Sequence, residues 1–260
     1  MSDPLPATEA GVGAGAEAGS PLVLLLHGFG GSRAQWEPLQ RRLAEAEARS
    51  VALDLPGHGD ALGGSYGLST IDARNAVVAE IERRGKTVHL VGHSRGGAIA
   101  ALVGMKAPER IASLTLLAPG GFGPEIAEAE LRAHASARTA DEVRAALLPL
   151  YHPARPSRRA VAAQVAWRER PDAVPTLERI AETLSENGVQ GQLDLRRLAN
   201  APFPVTVVWG ERDAVLPASQ AHAAPGADTR ILPGLGHMLM DEAPDAIAAI
   251  IAEQLRAGHT

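Results

Sequence analysis

The stretch Val91-Gly92-His93-Ser94-Arg95-Gly96-Gly97 follows the apolar run Val88–Val91 and leads into the small-residue helical pattern Ala98–Lys106. A serine with glycine two residues before and two residues after it, set between a strand and a helix, is the signature of a nucleophile elbow. The turn is too tight for side chains beside the serine. The serine itself is forced into a strained backbone conformation that lifts Oγ clear of the sheet. With 27 glycines in 260 residues, the pattern takes its weight from the flanking strand and helix and from partners elsewhere in the chain.

Working outward, short β-like runs alternate with helical periodicity from Pro21 onward. The expected strands are Leu22–Leu26, Ser50–Leu53, Val88–Val91, Ser113–Leu117, Val205–Trp209 and Thr229–Leu232. Helices are expected at Trp36–Ala46, Ser69–Arg84, Gly96–Lys106, Ser219–Ala223 and Ala243–Ala257. Buried apolar strands alternating with helices predict an α/β fold, a mostly parallel central sheet with helices on both faces. The alternation stops after Pro119. From about Phe122 to Leu198 only helical patterns occur, one of them opened by the capping-box sequence Thr139-Ala140-Asp141-Glu142. Strand pattern resumes at Phe203. An all-helical cap over residues 122–200, inserted in a core of 21–121 and 201–260, is the simplest arrangement. Residues 1–20, rich in Gly and Ala from Ala7 to Ser20, are expected to form a disordered leader.

Composition narrows the function. A net charge of −5 without long runs of one sign argues against nucleic acid as a partner. The absence of cysteine excludes disulfides, a thiolate nucleophile and zinc–thiolate sites. His, Asp and Glu show no metal-ligand spacing such as His-Glu-x-x-His, so no metal is expected. The N-terminus lacks the basic and apolar regions of a signal peptide, and no apolar run approaches the ~20 residues that span a bilayer. The expectation is a cytoplasmic protein acting on a small molecule, with no membrane partner.

A serine hydroxyl needs a base to take its proton and an acid to orient that base. Trp209-Gly210-Glu211-Arg212-Asp213 places an acid just past the carboxyl end of a strand. Gly234-Leu235-Gly236-His237 places a histidine in a glycine-flanked loop after the last strand. The chain order Ser94, Asp213, His237 is the one this sheet type uses. Acyl transfer further needs backbone N–H groups aimed at a developing oxyanion. One is expected from Arg95, next to the serine, and one from Phe29 in Leu26-His27-Gly28-Phe29-Gly30-Gly31, directly after the first strong strand.

Together with Asp54-Leu55-Pro56-Gly57-His58-Gly59, these motifs resemble the α/β-hydrolase superfamily from Pro21 to about Ala257. The run Ser113–Glu125 and the segment after it look like the hydrolase-like proteins associated with acetoin dehydrogenase systems. The resemblance implies a cofactor-free serine hydrolase cleaving a carboxylic ester or thioester through an acyl-enzyme. It also admits C–C hydrolysis of a β-diketone-like substrate, or a non-catalytic ligand receptor on the same fold. Some members carry the acid after the preceding strand, which makes Glu125 the rival of Asp213. The superfamily's N-terminal strand pair has no clear counterpart before Pro21, so the sheet is expected to start short. His27, Asp54 and His58 are expected to fix loop geometry, and His93 to be a packed neighbour of the serine. The Arg95 guanidinium is expected to pair with a cap or loop carboxylate, with an anionic substrate as the alternative. Arg155, Arg158, Arg159, Arg168 and Arg170 are expected to form a solvated cap face. Tyr151, His152 and Trp167 are candidates for lining the substrate pocket.

Overall fold

The structure, a computed structural model, describes residues 3–11 and 21–257. In chain order the strands are β1 (Ala7–Ala10), β2 (Leu22–Leu26), β3 (Arg49–Leu53), β4 (Val88–His93), β5 (Ile111–Leu117), β6 (Ser185–Glu186), β7 (Val189–Gln190), β8 (Val205–Gly210) and β9 (Asp228–Leu232). Among the described residues the central sheet has seven strands in the order β1-β3-β2-β4-β5-β8-β9, all parallel except β1. β2 and β4 are buried along their whole length, as strands covered on both faces must be.

The order decides where the helices go. The helices of the core are α1 (Glu37–Glu45), α2 (Thr70–Arg84) and α3 (Arg95–Lys106). The chain steps from β2 outward to β3, then back across β2 to β4. Right-handed crossovers therefore put α1 on one face and α2 and α3 on the other. α2 packs on α3 accordingly. The strand order reverses between β2 and β4, and a crevice at such a switch point is where open α/β sheets bind ligands.

Residues 122–200 contribute no strand to the central sheet among the described residues. They hold α4 (Glu128–Ser136), α5 (Ala140–Leu147), α6 (Arg158–Arg168) and α7 (Ala173–Leu184). The capping box at Thr139 forms, with Glu142 N–H donating to the Thr139 hydroxyl and the Glu142 carboxylate accepting the Thr139 N–H. The insertion is not wholly helical, however: β6 and β7 pair as a separate antiparallel hairpin across Asn187 and Gly188 (φ 55° and 74°). After β9 come α8 (Leu239–Glu242) and α9 (Pro244–Ala257), the latter packed on α1.

The expectation of a disordered leader fails at residues 7–10. β1 pairs antiparallel with β3, Ala7 opposite Leu53 and Ala10 opposite Ser50, so the sheet does not start short at β3. Polar ties hold this edge strand: Arg33 Nε donates to Thr8 Oγ1 (3.0 Å), and Arg84 pairs with Glu9 (3.0 Å). Leu5 just before it is buried in the core. Residues 12–20 lie outside the described residues. No helix among the described residues is long and apolar enough to cross a membrane.

Candidate active site

Ser94 stands between β4 and α3 with φ 53° and ψ −119°, the strained elbow conformation. A Cβ on Gly92 would collide with the Gly96 carbonyl, and a Cβ on Gly96 with the carbonyls of Leu26 and His27. Both glycines are thus demanded by backbone packing. The Ser94 N–H donates to the Leu117 carbonyl (2.9 Å), which ties the elbow to β5.

His237 and Asp213 meet from different loops. His237 Nδ1 donates to Asp213 Oδ2 (2.7 Å), while Asp213 Oδ1 accepts the N–H groups of Val215 and Leu216 (2.8 and 2.9 Å). The pair is buried, and His237 lines the same cavity as Ser94. Glu125 is engaged elsewhere, its carboxylate accepting from Gln220 Nε2 (3.2 Å). His93 packs beside the His237 ring, centroids 4.7 Å apart, and donates from Nε2 to the His237 carbonyl (2.9 Å). Burial, with His237 next to it, pushes the His93 imidazole well below its ordinary value.

The loop after β2 is fixed by two buried imidazoles. His58 Nε2 accepts the Gly30 N–H (3.0 Å), and His27 Nε2 accepts the Leu55 N–H (3.0 Å). Burial pushes both imidazoles down, His27 to about 4 and His58 well below its ordinary value. Asp54 braces the loop's far side, taking the Arg33 N–H (2.7 Å) and the Arg33 guanidinium. Phe29 stands edge-on to His58 and His134 (6.0 and 5.8 Å). Its N–H donates to no group among the described residues, and neither does that of Arg95. Arg95 opens α3, where N–H groups have no intrahelical partner.

Three pocket candidates lie elsewhere. Tyr151 donates its hydroxyl to Asp241 Oδ2 (2.7 Å), and His152 reaches the Gly234 carbonyl with Nδ1 (2.8 Å). Their segment clamps the histidine loop from outside, Gly236 and His237 N–H donating to the His152 and Leu150 carbonyls (3.1 and 2.8 Å). Trp167 is packed in a cluster with Leu62, Leu131 and Leu177. Leu131, His134 and Gln164 face Ser94 instead. His134 Nε2 donates to Gln164 Oε1 (2.7 Å), and burial, then the Arg168 charge, pushes the His134 ring down to about 3.

Three arginines depart from expectation. Arg170 is half-buried rather than solvated, donating to the Gly59 and Leu62 carbonyls (3.1 and 2.7 Å). Arg168 is buried, not solvated, its Nη1 donating to the His134 and Ala137 carbonyls (2.9 and 3.1 Å). It follows Val161 by seven residues and Gln164 by four, so helical spacing places it on the buried face. Arg95 pairs with no carboxylate among the described residues; it donates from Nη2 to the Leu68 carbonyl (3.0 Å).

The sequence model of the alpha/beta hydrolase family matches residues 23–250. The chain belongs to the alpha/beta hydrolase family. It is 34% identical over 235 residues to the dihydrolipoyllysine-residue acetyltransferase component of the acetoin cleaving system of Pseudomonas putida, covering 90% of this chain and 62% of that protein. The component of the same name from Cupriavidus necator is 33% identical over 240 residues, 91% of this chain and 64% of that protein. The chain thus spans less than two thirds of the length of either. Among solved structures, carboxylesterase CesB from Bacillus subtilis superposes with a TM-score of 0.81 at 21% identity, covering 99% of this chain and 90% of that one. That likeness is one of fold.

Proposed function

We propose that this member of the family is a cofactor-free serine hydrolase that cleaves a carboxylic ester or thioester through an acyl-enzyme, with residues 122–200 as its cap. The observation that carries the reading is the Asp213–His237 hydrogen bond of 2.7 Å beside a serine held at φ 53° in the cavity His237 lines. With Nδ1 given to Asp213, His237 has Nε2 to take the Ser94 proton as Oγ attacks the carbonyl carbon. The carbonyl electron pair moves to oxygen, where the N–H groups of Phe29 and Arg95 receive it; such a donor is worth about 3–4 kcal/mol. Collapse expels the alcohol or thiol with the proton from His237. Water then repeats the sequence on the acyl-enzyme, releasing the acid and restoring Ser94. A passive receptor has no use for a strained serine, an oriented imidazole and two unpaired donors together.

The test is labelling by a fluorophosphonate together with turnover of p-nitrophenyl esters of graded acyl length. Stoichiometric labelling of the wild type, none of Ser94→Ala, and ester turnover are expected. Slow esters beside a fast β-diketone move the reading to C–C hydrolysis. No label and no turnover, with a ligand still bound, leave a receptor.

A further inference from the structure

Two cavities meet at Ser94. The smaller, about 40 Å³, is bordered by His237, His93 and His134; the larger, about 260 Å³, by Arg95, Thr70 and Ile71 among others. Phe29, Ser94, Leu131 and Val215 border both. Resting on the serine-hydrolase reading, the two sides can be told apart. His237 returns its proton to the departing atom, so the leaving group lies on the His237 side. The acyl portion then takes the larger cavity.

That cavity is apolar along Leu102, Leu184 and Leu193, but one charge borders it. Arg95 is 4% exposed, and its Nε and Nη1 are buried with no hydrogen-bond partner. Its Nη2 reaches only the Leu68 carbonyl. Arg168 shows the contrast: its Nη1 has two carbonyl acceptors and its Nη2 has Gln164. A buried cation without a counter-charge costs several kcal/mol unless something pairs with it. Leu68 directly precedes Ser69, the N-cap of the 15-residue α2, and Thr70 and Ile71 of its first turn border the cavity. The Asp72 carboxylate already caps that turn, so the group on this wall that still lacks a counter-charge is the Arg95 guanidinium.

We infer that the acyl half of the substrate carries a carboxylate seated on Arg95, so that the substrate is a monoester or monothioester of a dicarboxylic acid. Hydrolysis then adds water across the ester bond and releases the free diacid with an alcohol or thiol. A carboxylate can bridge one edge of the guanidinium, Nη2 together with either Nε or Nη1, and so supplies the missing counter-charge and an acceptor for one of the two unpartnered nitrogens.

The test compares p-nitrophenyl half-esters of succinate, glutarate and adipate with the neutral butyrate, valerate and hexanoate esters of equal carbon number. In the wild type, kcat/KM for the best half-ester should exceed that of its neutral match by about tenfold or more, the worth of one charged hydrogen-bonded pair. In Arg95→Met that ratio should fall to one or below, and Arg95→Lys should keep part of it. A wild-type ratio of one or less, or a ratio unchanged in Arg95→Met, overturns the inference. Binding separates this outcome from failure of the hydrolase reading. Glutarate should raise the Tm of Ser94→Ala, pentanamide should not, and the glutarate shift should vanish in Ser94→Ala/Arg95→Met. If the fluorophosphonate fails to label and no ester turns over, the hydrolase reading falls and the glutarate shift still decides the carboxylate site. If Arg95→Met does not fold, the wild-type ester ratio together with the glutarate–pentanamide contrast decides it.

Discussion

At the carboxyl ends of β2 and β4 the elbow of Ser94 is set by the main chain, and the loop beside it by side chains that grip main-chain N–H groups. Gly92 and Gly96 admit no Cβ, the Ser94 N–H is taken by the Leu117 carbonyl, and the Gly30 N–H by His58 Nε2. In residues 122–200 the side chains that face Ser94 are placed by one another: His134 by Gln164, and the chain at His134 and Ala137 by Arg168. Backbone-set geometry leaves local marks, such as a glycine at a fixed offset or a polar residue past a strand end. Geometry set between side chains of separate helices leaves almost none. Local sequence therefore marks the elbow and loops of the core more plainly than it marks the insertion.

The sharpest way to break that contrast is Asp213→Asn. Asparagine Oδ1 still accepts from Val215 and Leu216, so Tm should hold, while the imidazole loses its orienting carboxylate and kcat should fall about 10⁴-fold. Steady-state kinetics beside a melting curve check both halves. If Glu125→Gln has this effect and Asp213→Asn has not, the acid lies on the insertion side and the contrast collapses.

A middle-sized effect probes the insertion through pH. Burial and the Arg168 charge hold His134 at about 3, against an ordinary 6.5 that the unfolded chain keeps. Below pH 6.5 the unfolded state takes a proton that the folded state refuses. Stability is intact above that pH and is lost as pH falls toward 3. His134→Gln should lessen the loss between pH 6.5 and 4 by an amount on the order of a few kcal/mol, read from denaturant midpoints. An unchanged slope would show that the buried imidazoles of the core, His27, His58 and His93, carry all of it.

The smallest effect sharpens the boundary between the regions. Tyr151→Phe removes the donor to Asp241 and should cost about 1–2 kcal/mol of stability with KM for p-nitrophenyl butyrate unmoved, since Tyr151 borders neither cavity at Ser94. A raised KM would return Tyr151 to the pocket.

The same division explains what was legible. β2, β4, β5 and β8 are apolar runs that burial on both faces requires, and the elbow, Asp213 and His237 sit where their ends dictate. β1 escaped because Ala7-Thr8-Glu9-Ala10 has no apolar alternation; the ladder to β3 and one ion pair from α2 hold it. The β6–β7 hairpin did leave a mark, since Asn-Gly between two short segments is the strongest local hairpin signal. Arg168 hid among arginines that share its helix but not its face. The partners of Tyr151 and Arg95 lie about 90 and 27 residues away, beyond the reach of any local pattern.

The clamp between segment 150–152 and the histidine loop has a consequence for engineering. Leu150 and His152 supply the carbonyls, and Glu242 Oε2 accepts the N–H groups of both His152 and Gly236 (2.8 and 3.1 Å). The insertion is therefore not an interchangeable cassette whose ends stop at the sheet. A chimera that grafts a relative's residues 122–200 onto this core replaces part of the support of His237. The graft keeps the seat of His237 only if residues 150–152 still present their carbonyls to that loop.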